Sequence, residues 1–315
     1  MYKYHHIIFC KSYRGDLKRI KTLKSSIDCF NADNIPFIIC CPESDKNLFE
    51  SKLRTNQEKY DFLIITDEQV LSANNLSQNN AQTWKNQQII KLGFYKLNLC
   101  KYYTIYDSDC YFISNFYTKD FLFKHKIPYL CVSETLDPQS PLLPIKDYFK
   151  RPGRTYDFVH MSQTFSSDVL NDMEKNLLNK KNITLSTLIQ ICPYEFNWYG
   201  EYLLTTKEYK YIPATSKVRT YFYQEDYILD RHRGIRNCDI ISMGYNCICM
   251  QSGWINRSTY RDPWYGKLAR IKRNVFFKIH RGHKSDPIRK LILIFYKIPI
   301  WTIREIFTKD NKLPN

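Results

Sequence analysis

Four short runs of apolar residues, each continuous instead of alternating with polar residues, constrain the fold of this chain most strongly. They are HHIIFC (5–10), IPFIICCP (35–42), YDFLIITDE (60–68) and YYTIY (102–106). Strands that are apolar on both faces are typical of a parallel sheet covered on both sides by helices. We therefore predict a mostly parallel central sheet of the α/β, nucleotide-binding type, whose ligands bind beyond the carboxyl ends of the strands.

Two helices are predicted between these strands. In the first, apolar residues recur at helical spacing and Asp16 stands where it could cap the amino end; these residues are Leu17, Ile20, Leu23, Ile27 and Phe30. The second is TWKNQQIIKLGFYKLNLC (83–100), which follows the polar loop LSANNLSQNNAQ (71–82). The predicted order is thus strand, helix, strand, strand, helix, strand.

The fourth apolar run ends abruptly in two carboxylates, in the segment YYTIYDSDCYF (102–112). Asp is a poor strand residue and is costly to bury without a partner. At the carboxyl end of a strand, however, Asp107 and Asp109 could both face one divalent cation if the chain turns between them. Oxygen ligands of this kind suit Mg²⁺ or Mn²⁺, which often bridge protein carboxylates and substrate phosphates. The alternative is an exposed turn that simply closes the strand.

The 11 cysteines of the 315 residues predict reduced thiols and no disulfide framework, because their number is odd and several lie in apolar runs. No CxxC pair occurs; Cys247 and Cys249 would point to one side of a strand, but no partner pair accompanies them, so the spacing gives a zinc site little support. Neither a secretory signal at the start nor a run of about 18 apolar residues is found, so we expect a soluble or peripheral protein.

Positive charge is concentrated at the end of the chain. The formal net charge is +16, and residues 257–315 contribute 15 basic against 4 acidic side chains, which is +11. Within KLARIKRNVFFKI (267–279) the apolar residues form one helical stripe with cations beside it, a pattern typical of a helix that lies on a membrane surface. The alternative is a pair of helices packed on the preceding domain. We therefore divide the chain into a catalytic domain, 1–256, and a basic helical region, 257–315.

Several segments resemble a family of glycosyltransferases with the GT-A fold. YYTIYDSDCYFISNF resembles the DxD region of that fold. KSYRGDLKRIKTLKSSI, TWKNQQIIKLGFYKL and YEFNWYGEYL (194–203) are similar to the first loop and helix, the Trp-x-x-Gln-Gln-x-x-Lys-Leu helix and the Glu-x-x-x-Tyr-Gly segment of a mostly uncharacterised bacterial GT-A family. The resemblance covers residues 7 to about 203, with GYNCICMQSGW (244–254) as the expected last strand of the sheet.

The resemblance implies a role for each matching residue. Asp109 would bind a divalent cation, Mn²⁺ or Mg²⁺, directly, and Asp107 would contact the ribose or bind the cation through water. The loop residues Ser12, Tyr13 and Arg14 would meet the base and ribose of a nucleotide-sugar donor. Gln88 and Lys91, three apart on one helix face, would face the donor, unless Lys91 is a solvated surface lysine. Trp84 and Leu92 are expected in the core.

Glu195 is the candidate catalytic residue. Aromatic residues surround it in CPYEFNWYGEYL, and a carboxyl group in such surroundings would have the raised pKa that suits a general base. Glu201 is the rival, and either glutamate could instead pair with a lysine or arginine. His160 could touch the acceptor or complete the metal shell, or simply be hydrogen-bonded. The cluster DRHRGIR (230–236) could bind a diphosphate or form a surface loop.

The prediction for function is a metal-dependent glycosyltransferase of bacterial surface-polysaccharide or lipopolysaccharide synthesis, peripheral on the cytoplasmic face of the membrane, with a glycan or lipid-linked acceptor. One alternative is a haloacid-dehalogenase-like phosphatase, but its DxD usually follows the first strand. The other is a nucleic-acid-binding protein, suggested by the pI of about 9.2 and the many aromatic residues. The basic residues accompany apolar ones at the chain end, which favours a lipid surface and no nucleic acid.

Overall fold

The computed structural model describes residues 2–55, 57–77, 83–135, 140–222 and 224–251. Its strands are β1 (Tyr4–Lys11), β2 (Phe37–Cys41), β3 (Phe62–Thr66), β4 (Cys100–Ile105), β5 (Cys110–Phe112), β6 (Leu122–Phe123), β7 (Ile127–Cys131), β8 (Ser133–Thr135), β9 (Thr155–Asp157), β10 (Gln163–Ser166), β11 (Ile212–Ala214), β12 (Val218–Tyr221) and β13 (Cys247–Met250). Its helices are α1 (Leu17–Phe30), α2 (Glu43–Leu53), α3 (Asp67–Ala73), α4 (Thr83–Gly93), α5 (Leu143–Tyr148), α6 (Ser167–Met173), α7 (Leu185–Ile191), α8 (Glu195–Thr206), α9 (Gln224–His232) and α10 (Asn237–Ser242).

The central sheet has five strands in the order β10-β4-β1-β2-β3. Strands β4, β1, β2 and β3 run parallel, and β10 is antiparallel to β4 at one edge. All five residues of β2 are buried, as the continuous apolar run predicts. The predicted α/β class with a mostly parallel, helix-covered sheet is confirmed.

Helix α1 packs with the predicted face, because Ile20, Leu23 and Ile27 are fully buried. The predicted cap is wrong in detail. Asp16 stands at the N-cap position but makes no capping bond; its carboxylate accepts hydrogen bonds from Arg19 at 2.6 Å and from Ser108 at 2.9 Å. The side chain therefore joins α1 to the loop that follows β4.

Between β2 and α4, two helices lie where none was predicted. Helix α2 connects β2 to β3, and α3 begins directly after β3 with Thr66 in a capping box that includes Gln69. Parallel neighbours need a long crossover, usually a helix, so the parallel pairing of β2 and β3 already requires a connection such as α2. The predicted helix 83–100 is also shorter, because α4 ends at Gly93, a 3-10 turn follows, and Asn98 adopts a left-handed conformation before β4.

The last described strand belongs to another sheet. Strand β13 lies between β12, to which it is parallel, and β5, to which it is antiparallel. The prediction that 244–254 contributes the last strand of the central sheet is therefore wrong in its sheet, although a strand does form there. Two smaller sheets have the orders β11-β7-β6 and β8-β9.

The basic region falls outside the described residues. The amphipathic helix 267–279 and the boundary at 256/257 both lie there and stay predictions. Among the described residues, the helices are all too short or too polar to cross a membrane.

Candidate functional site

The order of the central sheet creates a crevice beside β1. The chain passes from β1 to β2 and β3 on one side, and then returns to place β4 on the other side of β1. In open α/β sheets such a reversal leaves a crevice at the carboxyl ends of the two diverging strands, and ligands bind there. The loops after β1 and β4 border this crevice, and the Ser108 hydroxyl joins them by its 2.9 Å hydrogen bond to Asp16.

The two carboxylates of the DxD segment lie where the chain leaves the central sheet for β5. The Asp107 carbonyl accepts a hydrogen bond from the Cys110 amide at 3.1 Å, which closes a turn. The Asp109 carbonyl accepts one from the Met250 amide at 3.0 Å, so β13 holds the second half of the turn. Ser108 is buried, whereas Asp107 and Asp109 are partly exposed. The buried strand β4 thus ends where the backbone turns beside the crevice, and the two carboxylates lie in this turn.

Lys91 lies between two carboxylates. Its Nζ is 2.9 Å from Asp107 Oδ1 and 3.0 Å from Glu195 Oε1, and only 4 % of its side chain is exposed. Burial opposes protonation, but the charges of Asp107 and Glu195 outweigh it and raise the pKa of Lys91 well above its ordinary value. The interpretation of Lys91 as a solvated surface lysine is wrong. The ammonium is a fixed, buried positive charge at the edge of the crevice.

Gln88 continues this network one turn earlier on α4. With its amide turned to satisfy both neighbours, it donates to Glu195 Oε1 at 2.7 Å and accepts from the Trp84 indole at 3.2 Å. Gln88 is buried and shares a helix face with Lys91, as their spacing predicts. Leu92 is in the core as expected, but Trp84 is 51 % exposed, so its predicted core position is wrong.

Glu195 begins α8 and is 3 % exposed. Burial raises the pKa of its carboxyl above the ordinary value, although the Lys91 charge acts in the opposite direction. The helix amino end also favours a negative charge at this position. Glu195 therefore has the raised pKa expected from the sequence, together with two direct partners that fix its orientation.

Glu201, the rival glutamate, has both oxygens occupied. Arg151 donates to one oxygen through Nε and to the other through Nη2 at 2.8 Å, and Glu201 is 1 % exposed. A bidentate, buried pair of this kind holds structure together. The alternative that either glutamate pairs with a lysine or arginine describes both of them, because Glu201 pairs with Arg151 and Glu195 pairs with Lys91.

The three predicted donor residues after β1 have different surroundings. Ser12 is buried, and its Oγ has no hydrogen-bond partner within the described part of the chain. Tyr13 is 52 % exposed and covers Gly15, where a Cβ would collide with the tyrosine ring. The Arg14 side chain is held by Asp45 at 2.5 Å. Tyr13 is thus exposed to solvent and the Ser12 hydroxyl is buried without a partner among the described residues, while Arg14 already has a carboxylate partner.

Neither His160 nor the basic cluster makes a direct contact with the Lys91 network in the described residues. His160 Nε2 lies 3.1 Å from Ser133 Oγ, and burial lowers the pKa of the imidazole. In the segment 230–236, Asp230 accepts from Arg219 at 3.0 Å and from Tyr221 at 2.9 Å, and Arg231 donates to Asn237 at 2.7 Å. These roles stay predictions.

Sequence reasoning missed a second buried ion pair at the same edge of the sheet. Lys11, the last residue of β1, lies 3.0 Å from Asp67, which follows β3, and the Cys40 thiol donates to Asp67 at 3.2 Å. The signal was available, because YDFLIITDE ends in an acidic residue in the same way as YYTIYDSD. It also missed Cys110 and Cys249, whose sulfurs lie beside the Asp109 carboxylate.

The donor atoms around the crevice suit a hard divalent cation. Asp107 and Glu195 both contact the Lys91 ammonium, and Asp109 follows Asp107 by two residues in the same turn. This excess of negative charge, on oxygen donors at a strand end, is the chemistry that Mg²⁺ and Mn²⁺ bind. Asp107 and Asp109 are the residues that would hold the cation.

A family model described as a family of unknown function (DUF6492) matches residues 6–143. Among solved structures, the chain is similar to mouse xyloside xylosyltransferase 1 in its apo form, with 9 % identity, a TM-score of 0.45, and coverage of 80 % of this chain and 98 % of that one. No curated protein matches the chain.

Proposed function

We propose that this protein is a glycosyltransferase that moves a sugar from a nucleotide-sugar donor to a glycan or lipid-linked acceptor with the help of Mn²⁺ or Mg²⁺. The observation that carries the proposal is the position of Lys91, which contacts both Asp107 of the DxD turn and Glu195 of α8 beside the crevice of a parallel sheet. The buried Lys91 ammonium thereby links Asp107, which we assign to the donor, with Glu195, which we assign to the acceptor.

The donor half of the site is assigned to the turn after β4 and the loop after β1. Asp109 would bind the cation directly, and Asp107 would contact the ribose or bind the cation through water; the bound cation would neutralise the diphosphate leaving group. Ser12 offers a buried hydroxyl and Tyr13 an exposed ring to the base and ribose. Lys91 and Gln88 face the diphosphate and sugar, and the Lys91 charge is available because its pKa is raised.

The acceptor half is assigned to Glu195. Its carboxylate takes the proton of the acceptor hydroxyl as that oxygen attacks the anomeric carbon, and a pKa raised by burial suits this task. The bonds from Gln88 and Lys91 hold the carboxylate in one orientation. The exposed Trp84, bonded to Gln88, offers an aromatic face at the edge of the same network.

The cellular setting we propose is bacterial surface-polysaccharide or lipopolysaccharide synthesis on the inner face of the cell membrane. The support is compositional: residues 257–315 carry +11 together with long apolar residues, which suits an anionic lipid surface. A lipid-linked acceptor would explain why such an enzyme binds the membrane, and no nucleic-acid partner is proposed.

A screen of nucleotide-sugar donors with Mn²⁺ or Mg²⁺, read as nucleotide release, tests the proposal. We expect Asp109→Ala to lose at least about a hundredfold in rate, since loss of a cation worth several kcal/mol costs tenfold for each ~1.4 kcal/mol. Asp226→Ala, which removes an exposed carboxylate of α9, is the matched control. Undiminished turnover of a folded Asp109→Ala protein at saturating donor and cation would refute the metal role.

A further inference from the structure

Two buried thiols lie beside the second carboxylate of the DxD turn. Cys110 on β5 and Cys249 on β13 are directly opposite each other in the antiparallel pairing of these strands, and each is 1 % exposed. The Cys249 thiol lies 3.3 Å from Asp109 Oδ1. One carboxylate oxygen and the two sulfurs are all within 4.8 Å of one another.

This arrangement is close to three corners of a tetrahedron around a metal ion. Zn²⁺ binds sulfur at about 2.3 Å and carboxylate oxygen at about 2.0–2.2 Å, so its ligand atoms lie roughly 3.5–3.8 Å apart. The Asp109–Cys249 distance is already shorter than that, and the Cys110 sulfur lies within 4.8 Å of a ligand atom of each of the other two residues. The two thiols are held by paired strands, and the turn that carries Asp109 is tied to β13 by the hydrogen bond from the Met250 amide to the Asp109 carbonyl at 3.0 Å.

The chemistry of these donors differs from that of the proposed catalytic cation. Thiolates select thiophilic ions such as Zn²⁺, whereas Mg²⁺ and Mn²⁺ prefer oxygen. The sequence contains no CxxC pair and therefore gave a zinc site little support. This site does not need such a pair, because its two sulfurs come from strands that are far apart in the chain. Each thiol that binds a metal ion releases its proton to solvent.

We infer that Asp109, Cys110 and Cys249 form a binding site for a thiophilic divalent cation such as Zn²⁺, next to the crevice and sharing Asp109 with it. Asp109 is the partly exposed member of the three, so the cation enters past its carboxylate. A solvent molecule completes the fourth position. This binding does not depend on the proposed transferase activity.

Titration of the full chain with Cd²⁺, a spectroscopic substitute for Zn²⁺, tests the inference. Cys29 and Cys238 are exposed thiols that would bind Cd²⁺ on their own, so both are first changed to Ser. In this background we expect a sulfur-to-metal charge-transfer absorption that saturates at one equivalent and is abolished by Zn²⁺. Cys110→Ala and Cys249→Ala should each weaken binding by at least about tenfold, which is the loss that even outer-shell changes produce. Asp109→Asn should weaken binding while keeping the absorption.

Cys131→Ala is the matched control, because Cys131 is a buried thiol whose sulfur lies near Ser162 and away from Asp109 in sequence and sheet. Absence of the absorption in the parent protein would overturn the inference. So would its survival in the Cys110→Ala/Cys249→Ala double variant, or an equal loss in Cys131→Ala. Melting curves identify variants that do not fold; for those, Cys110→Ser and Cys249→Ser, which retain the side-chain size, replace the alanine variants with the same expectations.

If the proposed function is correct, the thiophilic cation and the catalytic Mn²⁺ compete for Asp109. If Asp109 also holds Mn²⁺, one equivalent of Zn²⁺ should release bound Mn²⁺ from the parent protein but not from the Cys110→Ala/Cys249→Ala variant, as read by the electron paramagnetic resonance of free Mn²⁺. Retention of Mn²⁺ beside Zn²⁺ would refute the sharing. Failure of the protein to bind Mn²⁺ at all would count against the proposed function, while the Cd²⁺ result would stand by itself.

Discussion

Lys91 joins the two halves of the candidate site, and its removal should change both the folding stability and the pKa of Glu195. In Lys91→Met, Asp107 and Glu195 lose their shared buried cation, which costs about 3–5 kcal/mol of folding stability when one partner of a buried pair is removed. The Lys91 charge also lowers the pKa of Glu195 against the effect of burial, so without it that pKa rises further.

The pH profile of kcat should report this change. Glu195 acts as a base only when ionised, so activity falls as the pH drops through its folded pKa, which burial already raises above its ordinary value. In Lys91→Met the fall should therefore begin at higher pH than in the parent protein. Lys96→Met is the control, since Lys96 pairs with Glu174 and is not part of the network. An acid limb at the same pH in both variants would contradict the assignment of Glu195.

Glu195→Gln tests the base itself. The amide can still accept a hydrogen bond from Lys91 but cannot take a proton, so transfer should slow by about 10²–10⁴-fold while donor affinity, measured by calorimetry, stays the same. Glu201→Gln provides the contrast: its loss should appear as a lower melting temperature, because both Glu201 oxygens bind Arg151. A normal rate in Glu195→Gln would remove Glu195 as the base.

The sequence predicted which side chains belong together on one element but not which elements meet. Gln88 and Lys91 were expected on one face of their helix, and they are. Their contact with Glu195 depends on α8, about a hundred residues later, and helix packing of that kind leaves no local pattern. The same holds for Trp84, whose type favours the core although its helix turns it outward.

At the scale of elements, strands were easier to predict than the connections between them. The continuous apolar runs identified β1 to β4; β2 is buried on both faces, whereas β3, at the edge of the sheet, alternates between buried and partly exposed residues. Helix α2 was missed because its sequence, ESDKNLFESKL, is mostly polar and buries few apolar side chains, chiefly Phe49 and Leu53. Strand β13 was assigned to the wrong sheet because the sequence of a buried strand does not indicate which strands it pairs with.

Helix α8 places Glu195 by packing tightly at Gly200. A Cβ at this position would overlap the ring of Phe158, which is fully buried and cannot move aside. In an open helix Gly→Ala gains about 1 kcal/mol of stability, whereas overpacking a core costs about 1–3 kcal/mol. We expect the cost of overpacking to exceed the gain in helix propensity, so Gly200→Ala should lower the free energy of unfolding, measured in urea.

Thr205→Ala, at an exposed position of the same helix, is the control for Gly200→Ala and should change the free energy of unfolding by less. Because α8 carries Glu195, the Gly200 variant should also lose activity before it unfolds. A more stable Gly200→Ala protein would mean that α8 does not pack on Phe158 as described.

At the scale of the whole molecule, we assign chemistry and membrane binding to different parts of the chain. The residues assigned to donor binding, to Mn²⁺ or Mg²⁺ binding and to general-base catalysis all lie from Ser12 to Glu195, whereas +11 of the net charge of +16 lies in 257–315. A chain truncated near Gly266 should therefore keep donor hydrolysis but lose co-sedimentation with anionic liposomes. Binding of the full chain should also weaken at high salt, because about 1 M salt shortens the reach of surface charge to roughly 3 Å.

A charge variant of the full chain distinguishes membrane binding from a packing role of the same segment. Each cation near an anionic surface contributes about 1 kcal/mol, so changing Arg270, Lys272 and Arg273 to Gln should weaken liposome binding by roughly a hundredfold, at ~1.4 kcal/mol for each tenfold, with no effect on the melting temperature. If the segment instead packs on the catalytic domain, truncation exposes apolar surface, and the shortened protein should aggregate or lose its cooperative melt. An insoluble truncated protein, or a charge variant that pellets with liposomes as well as the parent does, would refute the membrane role.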